Sequence, residues 1–306
     1  VVETIEALLR STLDYAPSLI FTAVGAALTE RSGVINLGLE GMMRVGAFCA
    51  AVAALLSGSA AVGLLAGIGA GTLLAVIHGV LCIRWRSDQV VVGIALNLVA
   101  LAGVTFLVET LYGGNSTPAV QGLSRIRIPG LAELPVLSAL SGHPLTSYLA
   151  LLLPVLAQLA LFRTRWGLRL RAVGEQPGAV ATLGLSVSRL RYGAVLLSGG
   201  LAGLGGATLS LAVLDGFNDL MPYGQGFIAL AAMIFGKWTP LGAAGAAAFF
   251  AFSDALRIGA SNAGVALPQG LMLALPYLVS LLLLAGLVGR ATPPAANGVP
   301  FDPEVR

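Results

Sequence analysis

Asn36, Glu40 and Arg44 stand four residues apart in the stretch ERSGVINLGLEGMMRVG, residues 30–46. On a helix that interval stacks them along one face, and Glu40 precedes Arg44 in the order that favours an i,i+4 ion pair. The chemistry open to such a ridge is hydrogen bonding and charge pairing, from an amide, a carboxylate and a guanidinium fork. Gly33, Gly38 and Gly41 lie among them, and each weakens a helix by roughly 1 kcal/mol relative to alanine. The pattern predicts a broken or loosened helix whose polar face lines a cavity, with Arg44 as the partner of Glu40. Glu30 and Arg31 read equally as a solvated turn ahead of it. Asn97, in GIALNLVAL (93–101), is a second polar candidate inside an apolar run, and Gln225 is another. His78, one turn from the end of its run, reads as a packing histidine. Glu109 and Asp254 lie near run ends and read as interfacial.

The elements that must hold these residues follow from composition. The chain is 57% hydrophobic and 10% charged, with 40 glycines in 306 residues. A soluble domain carries about 25% charged residues to cover its surface. The chain is therefore an all-α, polytopic transmembrane helix bundle. A charged side chain at the bilayer centre costs roughly 2.5–3.5 kcal/mol, so it persists where a partner or a water-filled cavity relieves that cost. Asn36, Glu40, Asn97 and Gln225 are accordingly the candidates for a translocation path.

Spans of about 20 apolar residues fall at 12–29, 41–57, 60–83, 89–112, 146–162, 193–214, 223–236, 240–257 and 269–289. Several are short or interrupted by glycine, so about 8–10 membrane segments are expected, some broken or re-entrant. The connection 113–145 contains Pro118, Pro129, Pro135 and Pro144 and reads as an irregular external segment. Segment 163–191 holds six arginines and one acid, which places it in the cytoplasm by the positive-inside rule. Alternation then puts residues 84–89, the turn at Lys237 and the tail from Arg290 inside, with Asp215 and Asp219 outside. Nine full spans put the N-terminus outside, whereas an opening stretch folded into one broken helix puts it inside. The boundaries are a single transmembrane domain over 1–290, with a cytoplasmic loop at 163–192, and a cytoplasmic tail, 291–306. The tail contains Pro293, Pro294 and Pro303 and is expected to be unpacked.

Gly67 and Gly71, Gly199 and Gly203, and Gly242 and Ala246 recur at the spacing that lets helices approach closely in lipid. GVINLGLEGMMRVGA and GQGFIALAAMIFGKW share a faint likeness, each an apolar run broken by glycine with a cation near its end. Cys49 and Cys82 both fall in apolar runs and read as packing residues. The net charge of +3 does not suggest nucleic acid, because the arginines cluster in short connections. No phosphate-binding loop occurs, and Lys237 sits in FGKWTP without the glycines and hydroxyl such a loop needs. His78 and His143 lack ligand spacing, so no metal site is expected. If transport is active, its energy comes from another subunit.

Three stretches carry a family resemblance: ERSGVINLGLEGMMRVGAF (30–48), GIALNLVAL (93–101) and RAVGEQPGAVATLGLSVSRLRYGAVLLSGGLAGLGGATLSL (171–211). They resemble the membrane subunits of bacterial ABC importers, in the large permease family of branched-chain amino-acid, ribose and nucleoside systems. The ERSGVINLGLEGMM wording is similar to the nucleoside or simple-sugar branch. The resemblance implies a permease that translocates nucleosides across the bacterial cytoplasmic membrane, working with a second permease subunit, ABC ATPase subunits and an extracytoplasmic substrate-binding protein. ATP and Mg would belong to the partner ATPase, with no cofactor in this chain and no enzyme activity of its own. In the family the third stretch holds a short coupling helix, which maps onto Gly174, Glu175, Gln176, Pro177, Ala181 and Gly184. Pro177 suits a first helical turn and Gly184 a stop. The family usually has asparagine where this chain has Gln176. Alternatives are a simple-sugar or riboflavin permease, an ion-coupled secondary carrier, and a structural membrane subunit. The Arg-rich, glycine-bounded loop favours the importer.

Overall fold

The computed structural model describes residues 2–130, 137–262 and 292–302. The expected span at 269–289 lies outside the described residues. Ten α-helices occur among them. α1 (Val2–Arg31) is followed by a link, 32–38, and α2 (Leu39–Ser57). α3 (Ala60–Gly79) continues as a π-helical turn to Arg84, and α4 (Gln89–Tyr112) follows. After the long connection come α5 (Leu145–Arg163), α6 (Arg165–Glu175), α7 (Pro177–Thr182) and α8 (Val187–Thr208), which extends in π-helical form to Val213. α9 (Gln225–Phe235) and α10 (Pro240–Asn262) close the described bundle. Six helices are long and apolar enough to cross a membrane. A two-residue antiparallel pairing, β1 (Arg125–Ile126) with β2 (His143–Pro144), is the small irregular element in the 113–145 connection.

Loop contacts sort the helix ends into two groups. At one end Arg31 donates to the carbonyls of Trp238 and Lys237, Arg191 donates to Val299, and Arg86 pairs with Asp302. The Arg-rich 163–191 segment lies at this end, the arginine-rich end of the bundle. At the other end Asp14 of α1 accepts from His143 at 2.9 Å, and Arg10 donates to the Ser138 carbonyl. The start of α1 therefore lies with the 113–145 connection. At 1.5 Å per residue a thirty-residue helix measures roughly 45 Å, longer than the hydrocarbon core of about 30 Å.

α8 is the centre of the bundle, and its glycines are the reason. A β-carbon on Gly203 would collide with the backbone of Gly67 in α3, and one on Gly206 with the carbonyl of Met43 in α2. The Gly67/Gly71 and Gly199/Gly203 pairs read from sequence meet one another here. Around this axis α3, α4 and α5 turn bare apolar faces outward, with Leu65, Leu73, Val99, Phe106, Leu151 and Leu156 among the exposed side chains. Such faces suit lipid or another apolar helix rather than water.

Two helices are broken. α9 has eleven residues, roughly 16 Å at 1.5 Å per residue, shorter than a hydrocarbon core of about 30 Å. The irregular segment 214–224 leads into it. Irregular backbone inside a membrane bundle must be satisfied by protein, and the 113–145 connection does part of this. Thr117, Val120 and Leu123 donate backbone N–H groups to Phe217, Asp215 and Leu211, while Asp219 donates to Asn115. The second break is the 32–38 link, after which α2 starts inside the bundle.

The tail departs from its expected unpacked state. Residues 292–302 lie across the arginine-rich end with Pro294 and Ala296 buried. The Ala296 N–H donates to Gly174 O at 2.8 Å and the Gly298 N–H to Gly33 O at 3.2 Å. Short turns let the prolines sit where no backbone donor is needed.

Candidate functional site

The starts of α2 and α9 meet inside the bundle, and the polar residues read from sequence gather there. A helix start leaves N–H groups without intrahelical acceptors. In water these are solvated, but at membrane depth a side chain must reach them.

For α2 that work falls to Asn36 and Asn97. The Asn36 Oδ1 accepts the Gly38 N–H at 3.1 Å, and its Nδ2 donates to Ser198 Oγ of α8 at 3.3 Å. Asn36 is fully buried. Asn97 of α4 accepts the Gly41 N–H at 2.8 Å and donates to the Leu37 carbonyl at 2.8 Å, so one amide bridges both sides of the break. Below it, Gln89 accepts the Ile35 N–H at 2.7 Å, and His78 contacts the Ile35 carbonyl at 3.1 Å.

For α9 the capping group is Glu40. One carboxylate oxygen accepts the Gly224 N–H at 2.8 Å and the other the Gly226 N–H at 2.7 Å. A carboxylate at a helix start also meets the positive end of the helix dipole. Gln225 sits beside it and accepts from Ser18 Oγ of α1 at 2.6 Å. Asn97 lies eight residues along α4 from Gln89, roughly 12 Å at 1.5 Å per residue, so the joint lies well inside the length of that helix.

The expected Glu40–Arg44 pair does not form. Arg44 reaches the carboxylate of Asp219 at 2.7 Å and the carbonyls of Asp219 and Met221. Thr105 of α4 donates to the same carboxylate at 2.7 Å. The reason is competition: the 214–224 segment offers a guanidinium three acceptors in a fork arrangement, and α9 offers Glu40 two uncapped donors. Asp219, assigned to the outside by alternation, is thereby drawn into the bundle. Sequence reasoning missed Asp219, Ser18, Thr105 and Ser198. Asp219 carries no helical spacing, and the three hydroxyls resemble ordinary small packing residues.

The joint is braced from the arginine-rich end. Glu30, which reads from sequence equally as buried or as part of a solvated turn, is 6% exposed. It accepts from Trp238 Nε1 at 2.6 Å and Asn297 Nδ2 at 3.0 Å. Lys237 and Trp238 have φ of 55° and 54°, a left-handed backbone that disfavours residues with side chains. Arg31 and Glu30 grip this turn from both sides and hold the α9–α10 hairpin. Among the remaining polar residues, Glu109 is exposed and Asp254 pairs with Arg257 at 3.5 Å.

The segment 174–184 divides. Gly174 and Glu175 end α6, which breaks at Gln176, and α7 starts at Pro177. Gly184, with φ of 76°, follows its end. Glu175 and Gln176 are exposed, whereas Gly174 is buried against Arg31 and Gly33. Ala181 packs with the Val173, Val180 and Val187 cluster. Leu183 stands 77% exposed beside it, an apolar side chain at the tip of the arginine-rich end. Among the described residues no three His, Cys, Asp or Glu side chains gather to hold a metal ion.

Helices broken inside an apolar bundle, with polar groups meeting at the break, mark a multi-pass membrane protein of transporter type. Over residues 8–288 the chain matches the family described as "Branched-chain amino acid transport system / permease component", and it belongs to that family. It is a multi-pass permease component of the cytoplasmic membrane. It is 42% identical over 312 residues to the guanosine ABC transporter permease protein NupQ of Bacillus subtilis, covering 98% of each chain. To the nucleoside ABC transporter permease protein NupC of Lactococcus lactis it is 37% identical, again over 98% of each. A putative glucose ABC transporter permease protein, TsgC13 of Haloferax volcanii, is 36% identical over 87% of this chain and 82% of its own.

Proposed function

We propose that this chain is a permease subunit of an ABC importer that carries nucleosides inward. Its full-length similarity to a guanosine and a nucleoside permease carries the reading. ATP is hydrolysed on partner ATPase subunits, a second permease subunit completes the path, and an extracytoplasmic binding protein delivers the solute. The exposed apolar faces of α4 and α5 leave room for a second permease. The path runs beside the joint of α2 and α9, where Asn36, Glu40, Asn97 and Gln225 hold the broken ends. Tyr223 and Phe227 expose their rings next to Gln225, an arrangement of aromatic faces and an amide that suits a heterocyclic base. Uptake of labelled guanosine and glucose by vesicles holding the assembled complex tests this. Saturable, ATP-dependent guanosine uptake that excess glucose leaves unchanged is the expected result. Glucose uptake alone would favour the second reading, a sugar permease, which the glucose relative supports.

Residues 163–192, including α6 and α7, face the cytoplasm and dock the ATPase in this reading. The exposed Leu183, Glu175 and Gln176 form the contact. A cysteine at Gln176, with Cys49 and Cys82 replaced, is expected to resist an impermeant thiol reagent in intact cells. It should react in inside-out vesicles, and adding the ATPase should protect it. Ready labelling from outside would reverse the orientation.

A further inference from the structure

The segment 292–302 lies beyond the residues matched by the family, and neither the path nor the docking helix uses it. It nevertheless binds every cytoplasmic element named above. Its Ala295 and Ala296 N–H groups donate to the Glu175 carboxylate at 3.2 Å and the Gly174 carbonyl, both at the end of α6. Its Phe301 packs with the Val173, Val180 and Val187 cluster that seats α7. On its other side, Gly298 donates to Gly33 in the link that leads to Asn36. Asn297 donates to Glu30, which also holds Trp238 of the α9–α10 turn. Arg191 of α8 joins both sides, donating to the Ser32 carbonyl at 3.2 Å and to Val299 at 3.0 Å.

We propose that residues 292–302 form a coupling strap, with Asn297 as its positioning residue, that carries displacement of α6–α7 to the 32–38 link and the α9–α10 turn. The inference rests on α6–α7 being the ATPase contact. Motion passes between elements through contiguous packed and hydrogen-bonded groups. Without the strap, α6 meets the link mainly by packing of Gly174 against Arg31 and Gly33. With it, hydrogen bonds run from the end of α6 to Gly33 and Glu30. Gly33 lies three residues before Asn36, and Glu30 ends the continuous buried run of α1, residues 16–30. A shift of α6 thus reaches the link that leads into α2 and the turn at the end of α9 together. The Asn297 Oδ1 and the Arg191 Nη2 are buried without hydrogen-bond partners in this arrangement, so the joint holds one donor and one acceptor open to re-pairing when it moves.

The test uses the complete complex in proteoliposomes and measures solute uptake and ATP hydrolysis side by side. Asn297→Leu keeps approximate size and removes the bond to Glu30. Uptake per ATP hydrolysed is expected to fall about tenfold, the scale of one hydrogen bond to a charged group, while hydrolysis stays within about twofold of the unaltered complex. Asn297→Ala, with no added bulk, should behave alike should the leucine variant assemble poorly. Asn297→Gln, which retains the amide, should restore much of the ratio. An unchanged ratio in Asn297→Leu and Asn297→Ala would overturn the strap. Parallel loss of uptake and hydrolysis would also overturn it, since that is the signature of a brace that only supports folding. Failure of the importer reading appears earlier and separately, as an unaltered complex whose uptake ignores ATP.

Discussion

Glu40→Ala is expected to be the most damaging single change at the joint. Its carboxylate is the acceptor for two N–H groups at the start of α9, from Gly224 and Gly226. Removing it leaves both donors without an acceptor inside the bundle, at about 1–3 kcal/mol each. The sum, roughly 2–6 kcal/mol, is a large fraction of the roughly 5–15 kcal/mol that stabilises an ordinary domain. The complex should be recovered at a small fraction of normal yield, with a lowered thermal midpoint and no measurable uptake. Glu40→Gln keeps one carbonyl acceptor but turns an N–H₂ toward the other donor, so it should fall between. Normal yield and midpoint for Glu40→Ala would mean that α9 is held without this cap.

Asp219→Ala should follow closely. Arg44 is 5% exposed, and its Nε already lacks a hydrogen-bond partner. Losing the carboxylate leaves a buried guanidinium with carbonyl acceptors alone. Breaking a buried ion pair costs about 3–5 kcal/mol, and the partial exposure of Asp219 puts the effect near the lower value. Replacing both groups with apolar residues of similar volume is often neutral for such pairs. Arg44→Met combined with Asp219→Leu is therefore expected to recover much of the midpoint that Asp219→Ala loses. Additive losses in the double variant would show that the two side chains are not coupled.

These two results also separate the observed pairing from the one predicted by spacing. Were Glu40 the partner of Arg44, removing Asp219 would leave Arg44 nearly undisturbed. The structure makes Asp219 the group on which Arg44 depends and leaves Glu40 to the backbone of α9. Glu40 and Arg44 remain one turn apart on α2, so each still feels the other's charge. Their direct bonds, however, run to different parts of the same neighbouring segment.

The helices were legible in the residues because the bonds that make them are local. An N–H reaches a carbonyl four residues back, and a lipid-facing run must be apolar throughout. The boundaries of α2, α3, α4 and α5 accordingly fall within a few residues of the expected spans. Pro177 and Gly184 likewise bracket α7 through preferences of their own backbone. The polar residues worth attention were legible for a related reason: at membrane depth Asn36, Glu40, Asn97 and Gln225 each require a partner, and the requirement shows in a single chain.

Which partner each receives was decided only by the tertiary structure. Glu40 and Gly226 are 186 residues apart, and Glu30 and Asn297 are 267 apart. No periodicity spans such distances. The outcome depends on which helix ends the glycines of α8 allow to lie side by side. A helix that begins inside the bilayer must be capped by whatever polar group the neighbouring helix presents at that height. The Glu40–Arg44 spacing was a sound local pattern overridden by a better-matched neighbour, α9. The tail was misread for the same reason, since prolines and glycines that preclude regular structure do not preclude hydrogen bonds to a surface already built.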